Sequence, residues 1–244
     1  MTVTVLNMKW IEANSYEEMS QISAQIFVEQ LQNKPNSVLG FATGGTPKGF
    51  YKELVSKFEA GEVSFDQAKG FNLDEYIDLA PEHQKSFHFY MDQNLYQYIN
   101  MPLSSINLPK ANAANLTQVA EQYDLSIEQA GGIDIQLLGI GVNGHIGFNE
   151  PGTSFDVGTS IVKLTDSTLE ANKIYFESIE EMPKEAMTMG IASILKAKKI
   201  VLLISGASKQ DAYDRLRSGE ITKDLPASAL HKHHDVTVIH TGVK

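Results

Sequence analysis

Cysteine is absent from this 244-residue sequence, which excludes disulfides and thiolate metal sites. Arginine is scarce: Arg215 and Arg217 stand alone, so an anion site elsewhere must use lysine or backbone N–H groups. No apolar run approaches the length needed to span a membrane, and the opening MTVTVLNMKW lacks a basic-then-apolar signal pattern. No basic run is present, and 30 acidic against 20 basic residues give a net charge of −10, which argues against nucleic acid as a partner. Repeats, low-complexity tracts and linkers are also missing. The 42% hydrophobic and 20% charged composition fits one globular domain over residues 1-244. Cysteine-free composition also suits a cytoplasmic enzyme.

What is there is an alternation of strand and helix patterns. Val3–Met8, Ser37–Ala42, Lys69–Leu73, Ile133–Ile140, Lys199–Ser205 and Val236–His240 read as strands. Ser15–Asn33, Lys48–Glu59, Ser86–Ile99, Leu116–Gln129, Lys184–Lys196 and Ser208–Arg217 read as helices, Ser15 with Glu18 suggesting a capping box. Several strands are apolar throughout. The alternation therefore predicts an α/β fold: a Rossmann-like, doubly wound, mainly parallel sheet with helices on both faces. Gly152–Ser178 is the least regular stretch and is expected to form a mobile flap, 152–178.

Such sheets bind ligands beyond the carboxyl ends of their strands. Four apolar strands run into unusual segments there. The first leads into Thr43-Gly44-Gly45-Thr46-Pro47, which opens a helix, and helix N-termini bind anions. The second leads into Asp74-Glu75, a pair able to serve as caps, solvated charges or a base. The third leads into a glycine-rich loop carrying Asn143, His145, Asn149 and Glu150, an acid/base set on a flexible backbone. The fourth leads into Gly206-Ala207-Ser208-Lys209, whose lysine supplies a full positive charge. No P-loop pattern occurs. Gly139-x-Gly141-x-x-Gly144 has dinucleotide spacing, but His145, Asn149, Glu150 and Pro151 follow where a helix should start. His231, His233 and His234 form a cluster that reads as a solvated loop rather than a metal site.

Together TGGTP (Thr43–Pro47), FNLDEY (Phe71–Tyr76), GVNGHIGFNEPG (Gly141–Gly152), GASK (Gly206–Lys209) and LPASALHKH (Leu225–His233) resemble glucosamine-6-phosphate deaminase over nearly the whole chain. The resemblance implies conversion of glucosamine 6-phosphate to fructose 6-phosphate and ammonia, with no cofactor or metal, the substrate's own carbonyl being the electron sink. It implies that His145 opens the sugar ring with Glu150 orienting it, and that Asp74 moves a proton from C2 to C1. Asn143 takes a supporting catalytic place where some members carry aspartate. Thr43, Gly44, Gly45, Thr46 and Lys209 are implied to contact the substrate, chiefly its phosphate. Glu75 is the weaker acid of its pair. Some larger members place an arginine near Leu169, for which Lys173 is a possible substitute here. Competing functions on the same fold are 6-phosphogluconolactonase and a non-catalytic sugar-phosphate sensor. Phe148-Asn149-Glu150-Pro151 speaks against the first, and the lack of a DNA-binding footprint against the second. The expected partner is a small amino-sugar phosphate, neither nucleic acid nor membrane, with self-association left open.

Overall fold

The computed structural model describes residues 8–172, 176, 178 and 181–244. Its strands are β1 (Met8–Glu12), β2 (Val38–Phe41), β3 (Lys69–Asn72), β4 (Asp74–Tyr76), β5 (Ile106–Asn107), β6 (Ile135–Gly139), β7 (Ser160–Lys163), β8 (Glu185–Thr188), β9 (Ile200–Ser205) and β10 (Val236–Thr241). Its helices are α1 (Tyr16–Asn33), α2 (Lys48–Glu59), α3 (Phe87–Asn94), α4 (Leu116–Gln129), α5 (Asp166–Asn172), α6 (Ile191–Leu195) and α7 (Gln210–Arg217). None of them is long and apolar enough to cross a membrane.

The main sheet has seven parallel strands in the order β1-β10-β9-β6-β2-β3-β5. Its inner strands β2, β6, β9 and β10 are buried on both faces. On β9, Val201 and Leu203 pack with Phe27 of α1 and Leu54 of α2. The alternate residues Ile200, Leu202 and Ile204 pack with Ile127 of α4 and Leu216 of α7. Each such fully buried side chain contributes about 1.5–3 kcal/mol relative to exposure. The strand order switches between the parallel neighbours β2 and β6: β2 leads through α2 to β3 on one side, whereas β6 has β9 on its other side. Neighbouring strands whose outgoing connections part in this way leave a crevice at their carboxyl ends.

A second, antiparallel sheet has the order β4-β8-β7. It corrects the expected helix over Lys184–Lys196, which is instead β8, a turn at Gly190 and the short α6. Ala186, Met187, Thr188 and Met189 are each 0% exposed, four in a row. A helix covered on one face cannot bury four consecutive residues, but a strand between two layers can. Gly190 is packed so closely on the carbonyls of Val157 and Gly158 that a Cβ would collide with them.

Residues 3–7 of the expected strand Val3–Met8 lie outside the described residues; among those described, β1 pairs with β10 from Met8↔Val236 to Glu12↔His240. Helices α2 and α4 occupy the expected bounds. The expected helix Ser86–Ile99 is shorter, because α3 ends at Asn94 and a 3-10 turn follows at Tyr96–Tyr98. The stretch 152–178 contains β7 and α5.

Candidate active site

The segment after β2 turns into the N-terminus of α2, where helix N–H groups lack intrahelical acceptors. Gly44 takes φ +110°, a conformation that side-chain-bearing residues rarely adopt. Tyrosines from three helices hold this loop by its carbonyls. Tyr51 donates to Ala42 O at 2.5 Å, Tyr90 to Gly44 O at 2.7 Å and Tyr16 to Thr46 O at 2.8 Å. The N–H groups of Thr43, Gly44, Gly45 and Thr46 have no hydrogen-bond partner among the described residues. A loop with carbonyls tied back and N–H groups unused is suited to an anion. Lys209 reaches the same space from a 3-10 turn after β9. Burial holds its ammonium below the ordinary lysine range.

Asp74 is the first residue of β4 and is 6% exposed. No donor among the described residues hydrogen-bonds its carboxylate, so nothing offsets its desolvation. Burial, with the neighbouring Glu75 charge adding to it, pushes Asp74 up to about 8. Glu75 has a different fate. Its Oε1 accepts from the N–H of Tyr76 and of Phe87, each at 2.9 Å, and its Oε2 from the N–H of His88 at 2.9 Å. It caps the start of α3 and stays out of the cavity lining. Burial raises Glu75 as well, against the lowering effect of those three N–H bonds.

The loop after β6 carries the imidazole. Gly141 leaves room for it: a Cβ there would fall on the His145 ring. Asn143 bridges the loop, its Oδ1 accepting from His145 N at 3.2 Å and its Nδ2 donating to Glu150 Oε2 at 2.7 Å. Glu150 Oε1 lies 3.5 Å from His145 Nδ1 and also accepts from the Thr168 hydroxyl. Burial opposes the ionised carboxylate, yet His145, Thr168 and Asn143 together hold Glu150 down to about 2. Asn149 secures the far end of the loop, its Nδ2 donating to Ile146 O and Met189 O at 2.9 Å.

One cavity of about 260 Å³ gathers all four strand ends. It is lined by Thr43, Gly44, Gly45, Thr46, Asp74, Asn143, His145 and Lys209. Glu150 stands behind His145 rather than in the lining, and Lys173 lies outside the described residues. The histidine cluster departs from the expected solvated loop, although His234 is exposed. His233 is 4% exposed with Nε2 2.6 Å from Ala197 O, and His231 Nε2 lies 2.7 Å from Leu216 O. Both Nε2 atoms are thus engaged by backbone carbonyls, and His233 Nδ1 accepts from Asp235 N at 3.1 Å.

Sequence reasoning missed Thr168, which sits in an irregular stretch with no motif around it. It also missed the aromatic wall of Tyr76, Phe87 and Phe148. Their ring centroids lie 4.6 Å (Tyr76–Phe87) and 5.8 Å (Tyr76–Phe148) apart. Tyr76 adjoins Asp74-Glu75, the signal that might have found it. Chemically, the cavity offers an anion cradle at one end, a neutral-leaning carboxyl at another and an oriented imidazole facing the space between.

The sequence profile of glucosamine-6-phosphate isomerases/6-phosphogluconolactonase matches residues 12–239. A glucosamine-6-phosphate deaminase of Lysinibacillus sphaericus is 53% identical over 235 residues, covering 96% of this chain and 99% of that protein. Glucosamine-6-phosphate deaminase 1 of Bacillus subtilis is 48% identical over 95% of this chain and 96% of its own length. A solved monomeric glucosamine-6-phosphate deaminase superposes with a TM-score of 0.94 at 48% identity, over 96% of this chain and 97% of that one. The 6-phosphogluconolactonase of Trypanosoma brucei shares the fold, with a TM-score of 0.80 at 18% identity over 97% of both chains. The chain belongs to the family of glucosamine-6-phosphate isomerases and 6-phosphogluconolactonases.

Proposed function

We propose that this chain is a glucosamine-6-phosphate deaminase, a hydrolase of amino-sugar metabolism that yields fructose 6-phosphate and ammonia. The observation that carries this reading is Asp74: a buried carboxyl with no hydrogen-bond donor among the described residues, across one cavity from the His145–Glu150 pair and the anion cradle.

The chemistry follows from those groups. The phosphate binds the Thr43–Thr46 loop, and Lys209 supplies the positive charge that no arginine provides. His145 moves a proton between the anomeric hydroxyl and the ring oxygen, opening the ring to a C1 aldehyde. Glu150, ionised and anchored, orients the imidazole and stabilises its charged form, as carboxylates do in other dyads. The aldehyde acidifies the C2 proton. Asp74 takes that proton and returns it at C1, and a substrate ammonium beside it favours its ionised state. The imine now at C2 adds water and releases ammonia. Asn143 holds Glu150 and the loop backbone and transfers no proton. Every group in this scheme comes from one chain, in keeping with the monomeric relative. We place the enzyme in the cytoplasm, on its cysteine-free composition and phosphorylated substrate.

Ammonia release from glucosamine 6-phosphate, measured beside hydrolysis of 6-phosphogluconolactone, tests the reading. Deamination without lactone hydrolysis is expected. Lactone hydrolysis alone would overturn it.

A further inference from the structure

We propose that Thr168 is a positioning residue for ring opening: its hydroxyl and the Asn143 amide each hold one oxygen of Glu150 and so fix the carboxylate against His145. This rests on the ring-opening role given above to His145 and Glu150.

Thr168 lies on α5, lines the cavity and is 4% exposed. Its hydroxyl donates to Glu150 Oε1, while Asn143 Nδ2 donates to Oε2 at 2.7 Å. The two donors come from different elements, α5 and the loop after β6. Between them they stop the carboxylate from turning about its terminal bond. The Thr168 hydroxyl is itself fixed. Thr165 Oγ1 donates to it at 3.2 Å, so its own proton is committed to Glu150, and such a chain of donors polarises along its length.

A carboxylate oxygen has two lone pairs. With Thr168 on one of them, Oε1 keeps the other for His145 Nδ1, 3.5 Å away. That nitrogen is buried and makes no other hydrogen bond among the described residues. The position at which Thr168 holds Oε1 therefore sets the separation of the dyad. Asp74 is on β4, and its proton transfer does not pass through this chain of contacts. Loss of the Thr168 hydroxyl should impair ring opening and spare the C2-to-C1 step.

The test compares Thr168→Val, which keeps the shape and removes the hydroxyl, with Thr168→Ser, which keeps the hydroxyl. Each is assayed on cyclic glucosamine 6-phosphate and on an open-chain analogue unable to cyclise. A hydrogen bond to a charged group corresponds to about ten- to a hundredfold in rate. Thr168→Val should lose about that much kcat on the cyclic substrate, with KM and open-chain turnover retained, and Thr168→Ser should restore it. Should Thr168→Val fail to fold, Thr168→Ala makes the same comparison. Equal losses on both substrates, equal losses in the Val and Ser variants, or no loss at all would each overturn the role of Thr168. Wild-type protein that releases no ammonia would overturn the function and this role together.

Discussion

The Tyr90 hydroxyl donates to the Gly44 carbonyl at 2.7 Å, tying α3 to the loop that opens α2. Because Gly44 sits at φ +110°, that carbonyl is turned where only a glycine places it without strain, and Tyr90 keeps it there. The tyrosine touches the back of the loop proposed to hold the phosphate, so its effect on binding would pass through the loop's shape.

Tyr90→Phe removes one neutral hydrogen bond, about 0.5–1.5 kcal/mol, or a two- to tenfold change. KM for glucosamine 6-phosphate should rise by about that factor, with kcat little altered. Inhibition by inorganic phosphate should weaken in parallel. A change in kcat alone would show that Tyr90 acts elsewhere.

Asp74 gives a pH prediction with a definite sign. Its folded-state value is raised to about 8, and the base must be ionised to take the C2 proton. The kcat/KM of the enzyme should therefore climb as pH rises towards about 8 and then level. Asp74→Asn should abolish exchange of the C2 hydrogen with solvent while leaving sugar-phosphate binding largely intact. Exchange at near wild-type rate in that variant would remove Asp74 as the base.

The same carboxyl links stability to pH. A group raised from 3.8 to about 8 favours the folded state fully below about pH 4, and that contribution is lost as pH rises through 8. Asp74→Asn lacks this penalty at high pH. Its melting temperature should exceed the wild type's by more at pH 9 than at pH 5, each kcal/mol corresponding to about 2–4 °C. An equal difference at both values would mean the carboxyl is not kept neutral by burial.

Gly141→Ala places a methyl group on the His145 ring. The imidazole must shift, and displacements near 1 Å cost about a hundredfold in rate. Turnover should fall by about that factor with the fold retained, as circular dichroism would report. Unchanged activity would mean that the ring position matters little.

The main sheet was legible because its signals are local and unmixed. Asn115 caps α4, Pro47 precedes α2, and β9 is apolar from Ile200 to Ile204. The four strand ends could be read as one cavity because parallel α/β sheets share a rule about where ligands bind. The second sheet was not legible. Glu185–Leu195 has apolar residues at spacings a helix also uses, and only pairing with β4 and β7, distant in sequence, makes it a strand. Glu75 reads from the sequence only as the weaker acid of its pair, a cap or a solvated charge. Its three bonds to N–H groups of Tyr76, Phe87 and His88 depend on a chain reversal that no residue type announces. Thr168 was invisible for the same reason: its partner, Glu150, is 18 residues away.

Leu73 joins the two sheets. Its N–H donates to Phe41 O at 2.9 Å in the parallel sheet, and its carbonyl accepts from Met189 N at 2.8 Å, just past β8 of the antiparallel one. The anion cradle follows β2 and Asp74 opens β4, so the proposed phosphate end and the proposed reacting end of the cavity belong to different sheets joined at Leu73. On the proposed mechanism the molecule works as a caliper, one jaw on the phosphate and the other at the reacting carbon. A sugar phosphate one carbon shorter or longer brings the wrong atom to Asp74 however well its phosphate is held.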